Sequence, residues 1–275
     1  QNKFQFEWEK YNPSKPKINK IKVKNKISIK KILSFVDWKP FFEAWELYGN
    51  YPDILNDSIV GDTAKDLWKD AQKMISKIIT NKLIHPKAVF GFWPANSDGD
   101  DIVIFESEKR KKILKKLFFL RQQVNRKNSK RPNLCLSDFV APVGVKNDYI
   151  GAFLVTAGSG IETLSKEYEN KNDDYNSILV KSLGDRIAEG LAEMLHLSVR
   201  KNYWGYAPKE SLTNAELISE KYIGIRPAPG YPACPDHTEK ETLFELLNVE
   251  KNLKVKSTES FAMTPASSVS GLYFS

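Results

Sequence analysis

The chain has 275 residues, of which 41% are hydrophobic and 28% charged, a composition typical of a globular protein with a sizeable core. Fibrous, wholly disordered and membrane-spanning classes are excluded, because glycine and proline are ordinary in amount and no apolar run could cross a bilayer. Two cysteines, Cys135 and Cys234, are too few for a disulfide framework, so we expect a cytoplasmic protein with no membrane partner.

The formal net charge of +8 raises the question of an acidic partner. Lysines are concentrated in residues 1–30 and in residues 108–131. They either form solvated helix faces or dock an acidic protein. We expect no nucleic-acid partner, because the zinc-finger, RNP-type aromatic and GXXG motifs of such proteins are missing.

Residues 1–30 are predicted to be a basic lead-in without helical structure. Pro13 and Pro16 interrupt this segment, and its apolar residues lack helical periodicity. We expect it to link the domain at residues 31–275 to an upstream module, or to wrap around that domain.

The first two thirds of the domain contain four predicted elements. Apolar residues at helical spacing predict an amphipathic helix over 63–82 and a second helix over 107–126. Two β-rich runs predict a hairpin over 87–105 that turns at Gly99, since glycine tolerates the positive φ of a tight turn. The apolar, β-rich run over 148–156 predicts a buried strand.

The last third contains the longest predicted helix, over 174–203. Its buried stripe is predicted to consist of Leu179, Leu183, Ile187, Leu191, Leu195 and Val199. Capping boxes that pair Thr213 with Glu216 and Thr238 with Glu241 predict two shorter helices, and the final residues predict a strand. Because the strands do not alternate with helices in a βαβ rhythm, we expect an α+β fold with an antiparallel sheet.

Residues 224–240 form the most informative segment. Its four prolines exclude a helix or a central strand and predict a stiff loop, with Gly230 as the flexible joint. A stiff loop loses little entropy when a ligand binds, so it suits the wall of a binding site. Arg226 enters this loop, where its guanidinium either makes a salt bridge or binds a carboxylate.

Asp236, His237 and Glu239 could together bind a metal ion. Asp236 also suits a helix start, however, and Glu239 suits the first helical turn. Since no paired Cys/His spacing accompanies them, we expect no metal bound by protein ligands.

Polar residues on the longest helix are a second candidate for a site. Asp185, Glu189 and His196 lie on one stripe beside the apolar face, and this stripe faces either solvent or a ligand or partner. Glu193 and His196 form an E-x-x-H pair, but a di-iron site would need further carboxylates. Asp37, between aromatic residues, is either a helix cap ahead of Pro40 or the receptor of an ammonium group.

Common enzyme signatures are missing, including the P-loop, G-x-G-x-x-G after a strand and G-x-S-x-G. The same segments nevertheless resemble, through most of the chain, the activation domain of cobalamin-dependent methionine synthase. The runs that carry the resemblance are FVDWKPFF, residues 45–53, FWPANSDGDDI, DFVAP, DYIGAFLVTAG, DDYNSILVKSL, DRIAEGLAEMLH, VRKNYWGYAP, GIRPAPGYPACPDHTEK and ESFAMTPASSVSGLYFS. They are specific, because loops vary freely within most folds.

The resemblance implies a single C-shaped domain with a bent antiparallel sheet flanked by helices, and a groove that binds S-adenosylmethionine. Asp37 and Arg226 are implied to hold the amino and carboxylate groups of the ligand, while Glu189 lines the approach to its sulfonium. The wall beside the ligand is implied to consist of Ala228, Pro229, Gly230 and Tyr231. Asp185 and His237 are implied to contact the cobalamin-binding module, and the family pattern continues beyond Ser275.

The function implied by the resemblance is repair of a methyltransferase of methionine biosynthesis. The domain would present the methyl group of S-adenosylmethionine for reductive remethylation of cob(II)alamin, with cobalamin held by a partner module and an electron supplied by a flavodoxin-like reductase. The domain itself would contribute no catalytic side chain and would not be catalytic alone. The alternatives are a stand-alone module that binds or senses S-adenosylmethionine and a basic docking protein without a small ligand.

The dense basic segment around residues 108–131 is a candidate for reductase docking, because opposite charge accelerates encounter. On this hypothesis the reductase is steered by Lys111, Lys112, Lys115 and Lys116, which the sequence places on the predicted helix over 107–126.

Overall fold

The structure is a computed structural model that describes residues 3–18, 21–124 and 131–275. The helices in these ranges are α1 (Ile29–Leu33), α2 (Lys39–Glu43), α3 (Gly61–Thr80), α4 (Gly160–Glu169), α5 (Asp174–Ser198), α6 (Asn214–Ile218), α7 (Glu239–Leu247) and α8 (Val249–Leu253). The strands are β1 (Lys22–Lys24), β2 (Lys87–Asp98), β3 (Asp101–Phe105), β4 (Ile113–Phe118), β5 (Asp148–Thr156), β6 (Lys256–Ser257), β7 (Met263–Thr264) and β8 (Ser268–Tyr273). None of the helices within the described ranges is long and apolar enough to cross a membrane.

The main sheet is antiparallel and has the strand order β4-β3-β2-β5-β8, with β1 paired to β2 beside this path. The 12-residue strand β2 makes the most pairings in this sheet. It pairs with β5 from Lys87 to Ala95, with β1 near its start and with β3 near its end. Helices cover this sheet, so the predicted α+β fold with an antiparallel sheet flanked by helices is confirmed.

Successive residues of β5 face two different hydrophobic cores, because side chains alternate along a strand. Phe153 and Val155 belong to the core that α3, α4 and α5 form with one face of the sheet. Ile150 and Leu154 belong to a second core, which α7 and α8 form with the opposite face. All nine residues of β5 are therefore buried, which explains the continuous apolar run in the sequence.

Three predicted elements are confirmed with small shifts of their ends. α3 spans Gly61–Thr80, and the β2–β3 hairpin turns at Gly99, whose φ is 68°. The predicted stripe of α5 is buried, with every one of its six residues at 5% exposure or less. Beyond Ser198 the helix widens into a π-helical turn, Val199–Tyr203, and single π-helical turns of this kind are common at functional sites.

The predicted helix over 107–126 is wrong within its described part. Ile113–Phe118 form the edge strand β4, antiparallel to β3, after a turn in which Arg110 has a φ of 50°. Leu117 is the one buried residue of this strand. The free edge of β3 offers hydrogen bonds that outweigh the helix propensity of lysine and leucine, and lysines are common on such edges. Residues 125–130 lie outside the described ranges.

The two predicted capping boxes have different outcomes. At α6 the box is confirmed: Glu216 N–H donates to Thr213 Oγ1 over 3.3 Å, and Thr213 N–H donates to Glu216 Oε2 over 2.9 Å. At α7 the box is wrong, because Thr238 caps nothing. Its N–H and hydroxyl instead donate to Asp236 Oδ1, over 2.8 Å and 2.7 Å.

The lead-in contacts the domain at several points along its described residues. β1 pairs with β2, and Lys17 N–H donates to the Tyr203 carbonyl over 3.1 Å. The Trp204 indole donates to the Ser14 carbonyl over 2.7 Å.

Glu239, the first residue of α7, is buried against the edge strand β4. Its Oε1 accepts a hydrogen bond from Phe118 N–H over 3.0 Å, while Oε2 is buried without a hydrogen-bond partner. Burial raises the pKa of this carboxyl to about 7, and the nearby Asp236 and Asp101 add to the increase. The folded protein therefore binds a proton here more tightly than the unfolded chain does.

We expect Glu239→Gln to stabilise the protein at pH 8 and to leave its stability nearly unchanged near pH 4. Stability from a carboxyl with a raised pKa is present at low pH and is lost as the pH rises through about 7. Glutamine keeps an oxygen for Phe118 N–H and never ionises, so it avoids a loss of about 3 kcal/mol. Thermal unfolding at both pH values measures this, with Glu241→Gln, an exposed site on the same helical turn, as control. A gain of equal size at both pH values would contradict it.

Candidate functional site

Arg226 is held between two backbone attachments to β8. Ile225 and Phe274 exchange both of their backbone hydrogen bonds over 3.1 Å, and Leu272 N–H donates to the Pro227 carbonyl over 2.9 Å. Residues 225–227 thus extend the edge of the sheet before the proline-rich loop begins. With its backbone fixed on both sides, Arg226 projects its guanidinium to α5, where Nη2 donates to Glu193 Oε2 over 2.9 Å.

Glu193 lies between two arginines in a line of alternating charges. We call this line the buried charge row, and its members are, in order, Arg226, Glu193, Arg200 and Glu210. Arg200 Nη1 lies 3.9 Å from Glu193 Oε1. Arg200 also donates from Nε and Nη2 to the two carboxylate oxygens of Glu210, over 2.8 and 2.9 Å. The Arg200 side chain is fully buried and that of Arg226 is 16% exposed, so Arg226 is the end of the row nearer to solvent.

The environment of the row changes the ionisation of its members. Burial raises the pKa of the Glu193 carboxyl, an effect that the Arg226 and Arg200 guanidinium groups partly offset. Burial lowers the pKa of Arg226, but Glu193, two tyrosines and Glu189 more than compensate, and the net pKa is raised. Arg226 therefore remains a cation, in reach of the field of two carboxylates on α5.

His196 lies beneath the row and is fully buried, so the part of the α5 stripe that it occupies does not face solvent. Its ring stacks on Tyr273, with centroids 5.1 Å apart, and meets Tyr222 edge-on at 4.8 Å. Burial and the two arginines lower its pKa well below the ordinary value, which keeps the ring neutral. His196 thus contributes to packing under the site.

A cavity of about 450 Å³ opens beside Arg226. Its polar lining includes Arg226, Tyr222 and Glu220, and its apolar lining comes from the proline-rich loop and from the turn Leu136–Phe139. That turn is fastened by Arg121, which donates to both oxygens of Asp138 over 2.6 and 2.7 Å. The cavity joins an apolar surface to a cation and an anion, a combination suited to a small zwitterion.

Arg226 has hydrogen-bonding capacity left for a ligand. Its Nε is buried and has no hydrogen-bond partner in the structure. An unpaired donor of a buried guanidinium is costly unless an acceptor completes it. Arg226 also lines the cavity and its side chain is 16% exposed, so the residue fits a ligand with a carboxylate.

Glu189 and Asp37 are brought to the same stretch of α5. Glu189 is half-buried one turn before Glu193, and its charge contributes to the raised pKa of Arg226. Gly190 allows the chain ahead of α2 to approach closely, since a Cβ there would lie 2.7 Å from Val36 Cγ2. Asp37 follows Val36 directly, and its Oδ1 accepts a hydrogen bond over 3.0 Å from the N–H of Lys39, the first residue of α2.

Asp185 and the residues of the predicted loop wall differ in how far their side chains are exposed to solvent. Asp185 is exposed and accepts from Ser267 Oγ over 2.9 Å, about 12 Å along α5 from Glu193. In the loop, Pro229 is buried, Ala228 is half-buried, and Tyr231 is 62% exposed.

The loop turns at Gly230, which has a φ of 98° and an N–H that donates to the Cys234 carbonyl over 2.7 Å. A side chain at this position would collide with the ring of His237. His237 therefore lies against the loop, and its side chain is exposed to solvent. A glycine is required at position 230 both by the positive φ of the backbone and by the lack of room for a side chain.

Sequence reasoning missed Arg200, Glu210, Glu220 and Tyr222 as parts of the site. One signal was available: Glu193, His196 and Arg200 follow each other at i, i+3 and i+7, which places them on one helical face beside the apolar stripe. Charged residues so close to a buried stripe indicate a buried polar contact. Glu220 and Tyr222 carry no such signal, since they lie in irregular chain.

Comparison with known proteins agrees with this geometry. A family model described as "Vitamin B12 dependent methionine synthase, activation domain" matches residues 28–275. A crystal structure of the MetH reactivation domain bound to AdoHcy has 50% sequence identity and a TM-score of 0.96 to this chain. The match covers 100% of this chain and 84% of that one.

We expect Gly190→Ala to destabilise the protein by about 1 kcal/mol or more, because overpacking against Val36 and the Ile32 carbonyl outweighs the helix propensity of alanine. Ser182→Ala, at a half-buried position of the same helix, is the control for propensity and should be neutral or slightly stabilising. Urea unfolding of both variants measures the difference. A stabilised Gly190→Ala protein would show that the chain before α2 is not packed tightly on α5.

Proposed function

We propose that this chain, which belongs to the family of vitamin B12 dependent methionine synthase activation domains, binds S-adenosylmethionine and presents its methyl group for reductive remethylation of cob(II)alamin. The observation that carries the proposal is Arg226, a cation that lines a cavity of about 450 Å³ and whose buried Nε lacks a hydrogen-bond partner. The relative bound to AdoHcy supports the same ligand class. Family membership does not favour a stand-alone sensor.

The charges along α5 support an assignment of the ligand's polar groups. Arg226 would hold the carboxylate through its free donor. Asp37 would hold the ammonium group, and Glu189 would face the sulfonium, since both are carboxylates near the stretch of α5 that Arg226 reaches. The loop wall would be formed by Ala228, Pro229, Gly230 and Tyr231.

The protein's contribution to the reaction is position and electrostatics. Bound S-adenosylmethionine supplies an electrophilic methyl group, so the domain needs no nucleophile of its own. Its residues would fix the ligand's two ends, and a stiff proline-rich wall would lose little entropy on binding. We propose that the isolated domain is not catalytic and that cobalamin is bound by a partner module.

Contact with the cobalamin-binding module is proposed for Asp185 and His237. Both side chains are exposed, Asp185 on α5 and His237 against the proline-rich loop at Gly230. A cytoplasmic location is also part of the proposal, because both cysteines are unpaired and buried, as suits a reducing compartment.

Arg226→Ala is expected to weaken S-adenosylmethionine binding by about 2 kcal/mol, or about 30-fold, because a charge-assisted hydrogen bond is lost. Asp37→Asn should weaken binding less. Isothermal titration calorimetry measures both, with Arg186→Ala on α5 as control. If Asp37→Asn lowers only the melting temperature, Asp37 is simply a helix cap; unchanged affinity in a folded Arg226→Ala protein would remove Arg226 from the site.

The electron donor is proposed to be an acidic, flavodoxin-like reductase. Of the lysines expected to steer it, Lys115 pairs with Glu245, Lys116 lies 2.9 Å from Asp101, and Lys112 lies near Glu106. Three of the four positive charges are therefore partly neutralised within the domain, and their steering effect is correspondingly reduced.

Charge reversal at Lys111 and Lys112, introduced into the complete synthase, is expected to slow reductase-dependent reactivation by a few-fold at low ionic strength and much less at high salt. S-adenosylmethionine affinity should stay the same. Stopped-flow reactivation across a salt series measures this. Rates and salt dependence equal to those of the wild type would place reductase docking elsewhere.

A further inference from the structure

The buried charge row contains more charge than fold stability requires. A buried ion pair is commonly no more stabilising than well-packed apolar residues, because two charges must leave water. Here two guanidinium groups and two carboxylates are buried together, and Glu193 lies between both cations. A feature of this kind calls for a role at the site beyond packing.

The geometry indicates what the row does to Arg226. Glu193 Oε2 accepts from Nη2 of Arg226, whose side chain also lines the cavity, and the buried Nε of Arg226 has no hydrogen-bond partner. The opposite oxygen of Glu193 lies near Arg200, which is fixed by its two hydrogen bonds to Glu210 and by the Tyr222 ring, 4.0 Å below its guanidinium. Glu193 thus lies between two guanidinium groups: it accepts a hydrogen bond from Arg226 and makes a longer ionic contact of 3.9 Å with Arg200.

We propose that Glu193 is a positioning residue, which orients the Arg226 guanidinium to receive the carboxylate of the ligand, and that Arg200, Glu210 and Tyr222 keep Glu193 in place. The inference rests on the proposed function, since it requires a carboxylate ligand at Arg226. It goes beyond that function by assigning roles to Glu193, Arg200 and Glu210, which do not line the cavity, and a second role to Tyr222, which does.

The expected effect follows from the freedom of an arginine side chain. Ordering a long side chain at an interface costs about 0.5–1.5 kcal/mol on binding. Because Glu193 already orders the Arg226 side chain in the free protein, this cost does not arise on binding. Loss of the contact between Glu193 and Arg226 is therefore expected to weaken carboxylate binding by about tenfold. A ligand that lacks the carboxylate gains nothing from an ordered Arg226 and should be insensitive.

Two substitutions separate position from charge. Glu193→Asp keeps the negative charge but withdraws the carboxylate by one methylene, away from Arg226 Nη2. Glu193→Gln removes the charge but keeps an acceptor oxygen at the same reach. Positioning predicts a loss for aspartate and near wild-type behaviour for glutamine, whereas a purely electrostatic role predicts the reverse.

The experiment is calorimetric titration of this chain and its variants with S-adenosylmethionine and with decarboxylated S-adenosylmethionine, which differ in the carboxylate alone. In Glu193→Asp the preference for the carboxylate-bearing ligand should fall by about tenfold, and in Glu193→Gln by less than about threefold. Glu169→Asp, which changes a carboxylate that hydrogen-bonds Ser177 and Lys181 at the far end of α5, is the control.

Each outcome decides the proposal. An unchanged preference in Glu193→Asp, an equal loss for both ligands, or a fall in Glu193→Gln as large as that in Glu193→Asp overturns it. A wild-type chain that binds neither ligand, or an Arg226→Ala variant that keeps the full preference, instead refutes the proposed function. Melting temperatures of all variants show whether the fold is retained, and the glutamine variant, which keeps the length of the glutamate side chain, is the isosteric comparison.

Discussion

The site depends on the burial of one side of α5 against the sheet. The apolar stripe of this helix packs into the same core as Phe90 and Phe153 of the two central strands. Because a packed interior admits little sliding, this contact sets the position of the opposite, polar side of α5 relative to β8. Residues 225–227 are hydrogen-bonded along β8, so the helix also determines which of its residues Arg226 can reach.

Glu193 occupies the point where these two constraints meet. It is brought to Arg226 by the helix and to Arg200 by the π-helical turn that follows. A single extra residue in that turn changes the direction of Arg200 relative to a regular helix, and it allows the guanidinium to lie over Tyr222. Local irregularity and long-range pairing therefore act together to bring two guanidinium groups and two carboxylates into one row below the surface.

The elements that sequence patterns predicted correctly are those whose burial is one-sided or complete. α3 and α5 show a clear helical period, and β5 is apolar throughout because both of its faces are covered. The helix predicted over the residues of β4 was wrong because the neighbouring strand, and not the residues of β4 themselves, decides their conformation. Its lysines and leucines favour a helix, but the unpaired edge of β3 offers a full set of backbone hydrogen bonds.

By itself, the sequence determined the helical and β-rich segments with strong periodicity, the stiff proline-rich loop, and the candidate residues Asp37, Glu189 and Arg226, because spacing and side-chain chemistry are local properties. The family resemblance added the ligand class. The tertiary structure alone decided that Glu193 separates Arg226 from Arg200, that His196 is buried beneath them, and that β4 is a strand. Those outcomes depend on contacts between residues far apart in the chain, which no local pattern records, and on the burial that determines which charges must be paired.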